Sequence, residues 1–437
     1  MSVTERKLYM KNRKALALIA ILALVAAACG GSDEVAEVEV ETTEAPATTE
    51  APATTVAAPA SDPLVLASLM PLSGDLASLG PGIALGAALA VEQINAAGGI
   101  NGQPVQLIEG DSGCDGAVAL TSLNDVIAQG AQGVMGAACS GTSLAILDTA
   151  IAAEVVMVSP SNTSPQFTKI DKKGFYARTA PSDLLQGDVL ASLLVEDGVQ
   201  TVSIISRADS YGRGLAEATA AAFEAAGGTV KTIVYHATDA TEFTSEVTAV
   251  GKGAPEAIVG ILFPETGCGV LKPAFEQGLL DTPWYMTDGV KDAGLASLCG
   301  LGTALDGFKG TAPGSAAGEA KDAFEAAYAG VSADGSPTFI FAPQAYDAVM
   351  LMAISAAANG VTGPEIASGL VAASSGGEKC IGVACIALAA DGVDVDYVGA
   401  SGEVELNAVG DPTAATYDIW TTEGDTNPVL KSVDFGS

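Results

Sequence analysis

Residues 159–165 read SPSNTSP and follow directly on VVMV, an apolar run that reads as a short, fully buried strand. Ser159, Ser161, Asn162, Thr163 and Ser164 thus emerge together from a core strand, interleaved with Pro160 and Pro165. Hydroxyls and free main-chain N–H groups released at a strand end can cradle the charged end of a small molecule. The same residue types can instead form an ST-turn that caps the next helix.

Covalent chemistry is not expected at these serines. A nucleophilic serine needs a base, and the single histidine, His236, follows VKTIVY with no nucleophile-elbow motif nearby. No carboxylate pair has a catalytic context either, so no catalytic residue is assigned and an exported hydrolase is the weaker reading. GPGIALG (80–86) mimics a dinucleotide fingerprint, but about eight loop residues separate it from the preceding strand. The intervening loop, beginning PLSGDLAS, reads as lining a cleft mouth, and no cofactor is expected. No CxxC occurs, so metal binding is not expected.

The ends and the composition set the compartment. Arg6, Lys7, Lys11, Arg13 and Lys14 precede an apolar run from Ala15 to Ala28 that is too short to span a bilayer. Residues 1–28 are therefore expected to be a leader. VAAACGG resembles a bacterial lipobox, which makes Cys29 the expected lipidation site; an ordinary signal peptide with an incidental cysteine is the alternative. Residues 29–62 have no aromatic residue, no apolar periodicity and a repeated TTEAPA, the composition of a disordered tether. Cleavage would leave a protein held to the outer face of the cell membrane by lipid, not spanning it. The net charge of −33 argues against nucleic acid or an anionic membrane surface as a partner. Setting Cys29 aside leaves six cysteines, and an exported chain with an even number implies disulfides. Sequential pairing is expected, Cys114 with Cys139, Cys268 with Cys299 and Cys380 with Cys385, because each pair brackets one local unit.

The elements that must position the hydroxyl run repeat a simple order. LVLASLMP, PVQLIEGD, GVMGAAC and VVMVSP read as strands, separated by helical patterns over 83–99, 117–130 and 143–154. The pattern restarts after FYARTAPSD with TVSIISR, VKTIVYH, AIVGILFPE and WYMTDG and their intervening helices. Helices are expected at 316–330, 341–358 and 361–374, then antiparallel strands in the tail. About 375 residues beyond the tether exceed a single core and suggest two domains. Alternating βα units argue for parallel sheets covered on both faces, with ligands outside the carboxyl ends of the strands.

Three segments carry a resemblance: IALGAALAVEQINAAGGINGQPVQLIEGDSGCD, CSGTSLAILDTAIAAEVVMVSPSNTSP and DSYGRGLAEA. In that order they are similar to the leucine/isoleucine/valine-binding proteins, which are type 1 periplasmic binding proteins serving ABC importers. The resemblance covers most of 63–430. It implies an α/β fold of two Rossmann-like lobes with parallel central sheets, joined by three crossing strands and closing as a Venus flytrap. The expected lobes are 63–181 with 312–411, and 182–311 with 412–437. By the same resemblance, Ser140, Ser161 and Thr163 hold the charged groups of an amino acid, and Tyr211 reaches in from the second lobe. Asp288 pairs with the ammonium, Leu79 lies near the side-chain pocket, and Phe263 stands near a family aromatic.

Two departures leave the ligand open. Leu79 stands where many relatives have an aromatic or polar residue, and Asp288 is one methylene shorter than the glutamate of close relatives. The CIGVACIALAADG insertion also departs from the best-known members. The expected function is a lipid-anchored, extracytoplasmic solute-binding protein, a monomer, that passes a branched-chain amino acid to an ABC permease and ATPase complex. The alternatives are the same fold holding an amide, urea or another small polar solute, or a sensor reporting to a membrane receptor.

Overall fold

The computed structural model describes residues 62–435. The leader, Cys29 and the tether up to residue 61 lie outside the described residues. Five parallel strands make the first sheet: β1 (Val65–Met70), β2 (Gln106–Asp111), β3 (Gly133–Gly136), β4 (Val156–Ser159) and β5 (Tyr176–Arg178), in the order β2-β1-β3-β4-β5. The interior strands β1, β3 and β4 are buried at every position, as strands covered by helices on both faces must be. The edge strand β2 has no buried residue. Helix Ala342–Asn359 is buried from its start through Ala356 and packs on helix Gly80–Ala96. Their contact is close enough to need glycine: a Cβ on Gly86 would lie 2.2 Å from the Ala342 carbonyl oxygen.

The second sheet has a parallel centre of β6 (Thr201–Arg207), β7 (Thr229–His236), β8 (Ala257–Ile261), β9 (Trp284–Met286) and β10 (Lys309–Pro313). A small separate sheet follows, of β11 (Glu378–Ile381), β12 (Val395–Gly399) and β13 (Gly402–Glu403). The tail then returns as β14 (Ala415–Thr421) and β15 (Val429–Phe435), which extend the second sheet antiparallel from β10 in the order β15-β14-β10-β9-β8-β6-β7. The chain passes between the two main sheets three times: after β5, after β10 and after β13. Two parallel-sheet lobes joined by three crossings are the expected architecture.

Two local expectations need correction. The helix expected over 83–99 begins three residues earlier at Gly80, with Pro81 in its first turn where a missing N–H costs nothing. The expected 361–374 helix runs only over Gly363–Gly369, opened by a capping box in which Thr362 and Glu365 satisfy each other's end groups. The 397–424 tail forms antiparallel pairings as expected, β12 with β13 in the small sheet and β14 with β10 in the second one. The cysteines join as the sequential scheme expects, with Cα–Cα separations of 5.5, 4.9 and 5.3 Å. No described helix is long and apolar enough to cross a membrane.

Candidate functional site

A cavity lies between the lobes where the carboxyl ends of both sheets meet. From the first lobe it is lined by Leu76 and Leu79 after β1, Ile83, Ala138 and Ser140 after β3, Ser161 after β4, and Phe341. From the second come Tyr211 after β6, Phe263 after β8, and Asp288 and Gly289 after β9. Six of the seven residues expected at the site are therefore brought together. Thr163 does not line this cavity. It is fully buried beneath the site, close to the Asp183 carboxylate but without full hydrogen-bond geometry.

The hydroxyl run divides its labour. Asn162 Nδ2 donates to the carbonyls of Ala137 (3.0 Å) and Ala138 (2.8 Å), and Ser159 Oγ donates to Ala137 (2.8 Å). These bonds staple the β4 loop to the β3 loop and so fix the start of helix Ser140–Ala152. Ser161 Oγ donates to the Ala138 carbonyl at 3.1 Å while facing the cavity. Ser164 Oγ crosses to the second lobe and donates to the Ser210 carbonyl at 2.9 Å. Ser140 stands in the first turn of its helix, where main-chain N–H groups lack intrahelical partners and the dipole favours an anion. Two hydroxyls beside that terminus suit a carboxylate.

Beneath this loop lies a buried cation that sequence reasoning missed. Arg178 Nη1 donates to the carbonyls of Asn162 (3.0 Å) and Ser164 (2.9 Å), and its other nitrogens bind both oxygens of Asp411 at 3.0 Å. Burial pushes the Asp411 carboxyl up, but Arg178, Thr168 and Lys172 outweigh it and hold it below the usual range. The partners are 233 residues apart, so no local pattern announces them.

The opposite wall is acidic. Asp288 Oδ1 accepts from Gln186 Nε2 at 2.8 Å and from the Tyr211 hydroxyl at 3.0 Å, while no side chain among the described residues donates to Oδ2. Burial pushes the Asp288 carboxyl up to about 6, with Gln186 and Tyr211 holding it back from rising further. Burial, then the charges of Asp288 and Asp183, push the Tyr211 phenol well above its usual range, so it stays a donor. A carboxylate so placed can accept from an ammonium. Asp209 caps the helix that carries Tyr211, accepting from Gly212 N at 2.8 Å.

The remaining lining is apolar: Leu76, Leu79, Ile83, Ala138, Phe263 and Phe341. Phe341 holds φ at 61°, a left-handed conformation strained for a bulky residue, at the start of helix Ala342–Asn359. Phe263 stacks on Tyr211 (ring centroids 5.3 Å apart), and the Arg207 guanidinium covers its ring at 4.0 Å. Arg207 also pairs with Asp75 of the first lobe and Asp209 of its own. Asp75 further accepts from Thr266 N at 2.9 Å, and Ser78 N donates to Glu265 at 3.1 Å. These contacts fasten the two lobes together at the cleft mouth.

A broader groove at the crossings is lined by Gly314, Gln344 and Thr416 among others and carries Glu319, Lys321, Lys379, Glu403 and Asp434, with Lys379 paired with Glu403 and Lys321 with Glu325. His236 is buried, which lowers its basicity, and its Nδ1 meets the Ala237 carbonyl at 3.0 Å. Among the described residues, no cluster of three or more His, Cys, Asp or Glu could hold a metal ion.

Comparison with known proteins agrees with this fold. The family profile described as periplasmic binding protein matches residues 63–379. The leucine-, isoleucine-, valine-, threonine- and alanine-binding protein of Pseudomonas aeruginosa is 29% identical over 315 residues, covering 70% of this chain and 81% of the relative. The branched-chain amino acid transporter substrate-binding protein LivJ of Streptococcus pneumoniae, solved with isoleucine, superposes with a TM-score of 0.72 at 22% identity, over 86% of this chain and 100% of that one. A solute-binding protein of an ABC transporter from R. palustris, solved with benzoate, superposes at 0.69 and 18% identity, over 86% and 98%. At these identities the two solved structures speak to the fold.

Proposed function

Because the chain belongs to the periplasmic binding protein family, we propose that it captures a branched-chain amino acid between its lobes and delivers it to an ABC permease and ATPase complex. One observation carries this reading. Asp288 from the second lobe faces the same cavity as Ser140 and Ser161 from the first, with an apolar wall between them. A zwitterion leaving water needs partners for both charged ends, since unpaired burial costs several kcal/mol or more. Here the helix terminus and hydroxyls meet the carboxylate, Asp288 meets the ammonium, and Leu76, Leu79, Ile83, Phe263 and Phe341 surround an aliphatic side chain. A guest touching both lobes favours the closed arrangement, because only there are both of its ends satisfied.

Residues 63–181 with 312–411 act as one lobe and 182–311 with 412–437 as the other, moving about the three crossings. The protein works as a monomer, without a cofactor and without turnover, outside the cytoplasm. It is held to the membrane by a lipid on Cys29 and a tether reaching to residue 62. Calorimetric titration of the purified protein with isoleucine, leucine, valine, benzoate, acetamide and urea tests the ligand assignment. Isoleucine, leucine or valine should bind with the highest affinity. Benzoate has no ammonium for Asp288, so preferential binding of benzoate or of the uncharged solutes would refute it.

A further inference from the structure

Asp183 is a buried carboxyl for which the amino-acid reading has no use. It opens helix Asp183–Glu196, it has no solvent exposure, and neither of its oxygens has a hydrogen-bond partner among the described residues. Gln186, one turn along the same helix, holds Asp288 at 2.8 Å, and Asp183 feels the charge of Asp288 directly. Two acidic groups therefore share one buried region behind the cavity.

Among the described residues the surroundings offer them no free cation. From the β4 loop Asp183 meets Thr163, whose hydroxyl is also unpartnered. Arg178, at the end of β5, is committed to Asp411 and to the carbonyls of Asn162 and Ser164. From the second lobe come Asp209, already held by Arg207 at 2.9 Å, and the phenols of Tyr211 and Tyr417. Two adjacent buried carboxylates cannot both stay ionised without a counter-charge, so one proton must remain with the pair.

We propose that Asp183 is the second carboxyl of the ammonium subsite, and that an arriving amino acid's ammonium displaces the proton which the Asp183–Asp288 pair otherwise keeps. The inference rests on the amino-acid reading of the cavity. In the step no covalent bond changes on the guest: the ammonium keeps its three protons, the pair becomes fully ionised, and one proton passes to the buffer. The direction of both titrations agrees. Burial, then the charge of Asp288, push the Asp183 carboxyl well above the carboxylate range, and burial pushes Asp288 up to about 6. Asp183 is thus a positioning residue, acting on the guest through Asp288 and giving the site a preference for solutes that bring a full positive charge.

Glu265 at the cleft mouth is the competing source of a proton signal. Its carboxyl is raised by burial, and it accepts from Ser78 of the other lobe. Closure over Glu265 would take a proton up rather than release one, so the sign separates the two.

The test is calorimetry of isoleucine binding to the full protein in buffers of low and high ionisation heat, between about pH 5 and pH 8. Isoleucine should release a substantial fraction of a proton, and Kd should fall by up to about tenfold per pH unit where release is complete. Asp183→Asn should flatten that profile above about pH 6, because Asp288 is then freed from a like charge and ionises on its own. A merely structural role for Asp183 would change Kd by one factor at every pH and leave the proton count intact. Infrared difference spectra of the unsubstituted protein give a second reading, in which the band of a buried protonated carboxyl should disappear on adding isoleucine. Isoleucine binding with no proton release and no loss of that band overturns the inference and leaves the proposed function standing. Failure of every amino acid to bind overturns both.

Discussion

Replacing Asp288 by asparagine should move affinity and stability in opposite directions. Its Oδ1 is engaged by Gln186 at 2.8 Å and Tyr211 at 3.0 Å, and both partners donate. An asparagine that keeps its amide oxygen toward them turns its NH2 toward the guest, donor against ammonium. The reverse orientation sets donors against Gln186 and Tyr211. Either way a hydrogen bond to a charged group is lost, worth about 1.5–3 kcal/mol, which is roughly a 10- to 150-fold rise in Kd for isoleucine.

Stability should respond the other way. The Asp288 carboxyl is raised from 3.8 to about 6 in the folded protein. A raised carboxyl favours the folded state only while it is protonated there, so its contribution declines as pH rises through that window and stays unfavourable above it. The shift corresponds to a penalty on the order of 3 kcal/mol at neutral pH. Asp288→Asn removes that penalty, so the protein without amino acid should melt a few degrees higher at about pH 7. The gain should vanish below about pH 4, where the aspartate is protonated in both states. Thermal unfolding with and without isoleucine, paired with calorimetry, reads both effects. An unchanged Kd would remove Asp288 from the site, and a lower melting temperature at neutral pH would refute the account of its burial.

Two further substitutions probe the frame around the cavity. Arg178→Met should cost about 3–5 kcal/mol, since it leaves Asp411 buried with Lys172 at 3.5 Å and the Thr168 hydroxyl in place of a paired guanidinium, and frees the carbonyls of Asn162 and Ser164. Because Asp411 is held below its usual range, its contribution is present above the unfolded value and lost as pH falls through the folded one. The gap between variant and parent in urea unfolding should therefore narrow below about pH 4, and a constant gap would contradict the ion-pair reading. Asp75→Asn takes one of two carboxylates from Arg207 and weakens the contact to Thr266 across the cleft mouth. Isoleucine should then bind about tenfold more weakly, mostly through faster dissociation, at the low end of about 1.5–3 kcal/mol for such bonds. Equal dissociation rates in stopped flow would show that the contact does not hold the lobes closed.

The alternation of buried apolar runs with helical patterns was enough to find both sheets, because a strand covered on both faces has to be apolar throughout, as β1 and β8 nearly are. The hydroxyl run, DSYG and TDG were legible as site pieces because each stands just past the carboxyl end of such a strand, where the chain must leave the core. What each hydroxyl does was not legible. Ser159 and Asn162 staple two loops, Ser161 faces the cavity, and Thr163 turns beneath it toward Asp183. That division depends on side-chain direction within a loop, which composition does not encode. The helix start was expected three residues late, at Ile83, because Gly80, Pro81 and Gly82 read as the end of the preceding loop.

By itself the sequence determined the class of fold and the strand ends that carry the chemistry, since these follow from periodicity and spacing. The cysteine pairing it suggested was one choice among fifteen until the structure joined them. Only the tertiary structure decided which groups share the cavity's charge. Gln186 reaches Asp288 across 102 residues and Arg178 reaches Asp411 across 233. Phe341 enters the cavity from a helix that returns after the second crossing. Such partners are set by how two separately wound sheets meet, and an orphaned carboxyl such as Asp183 becomes visible only once everything around it is in place.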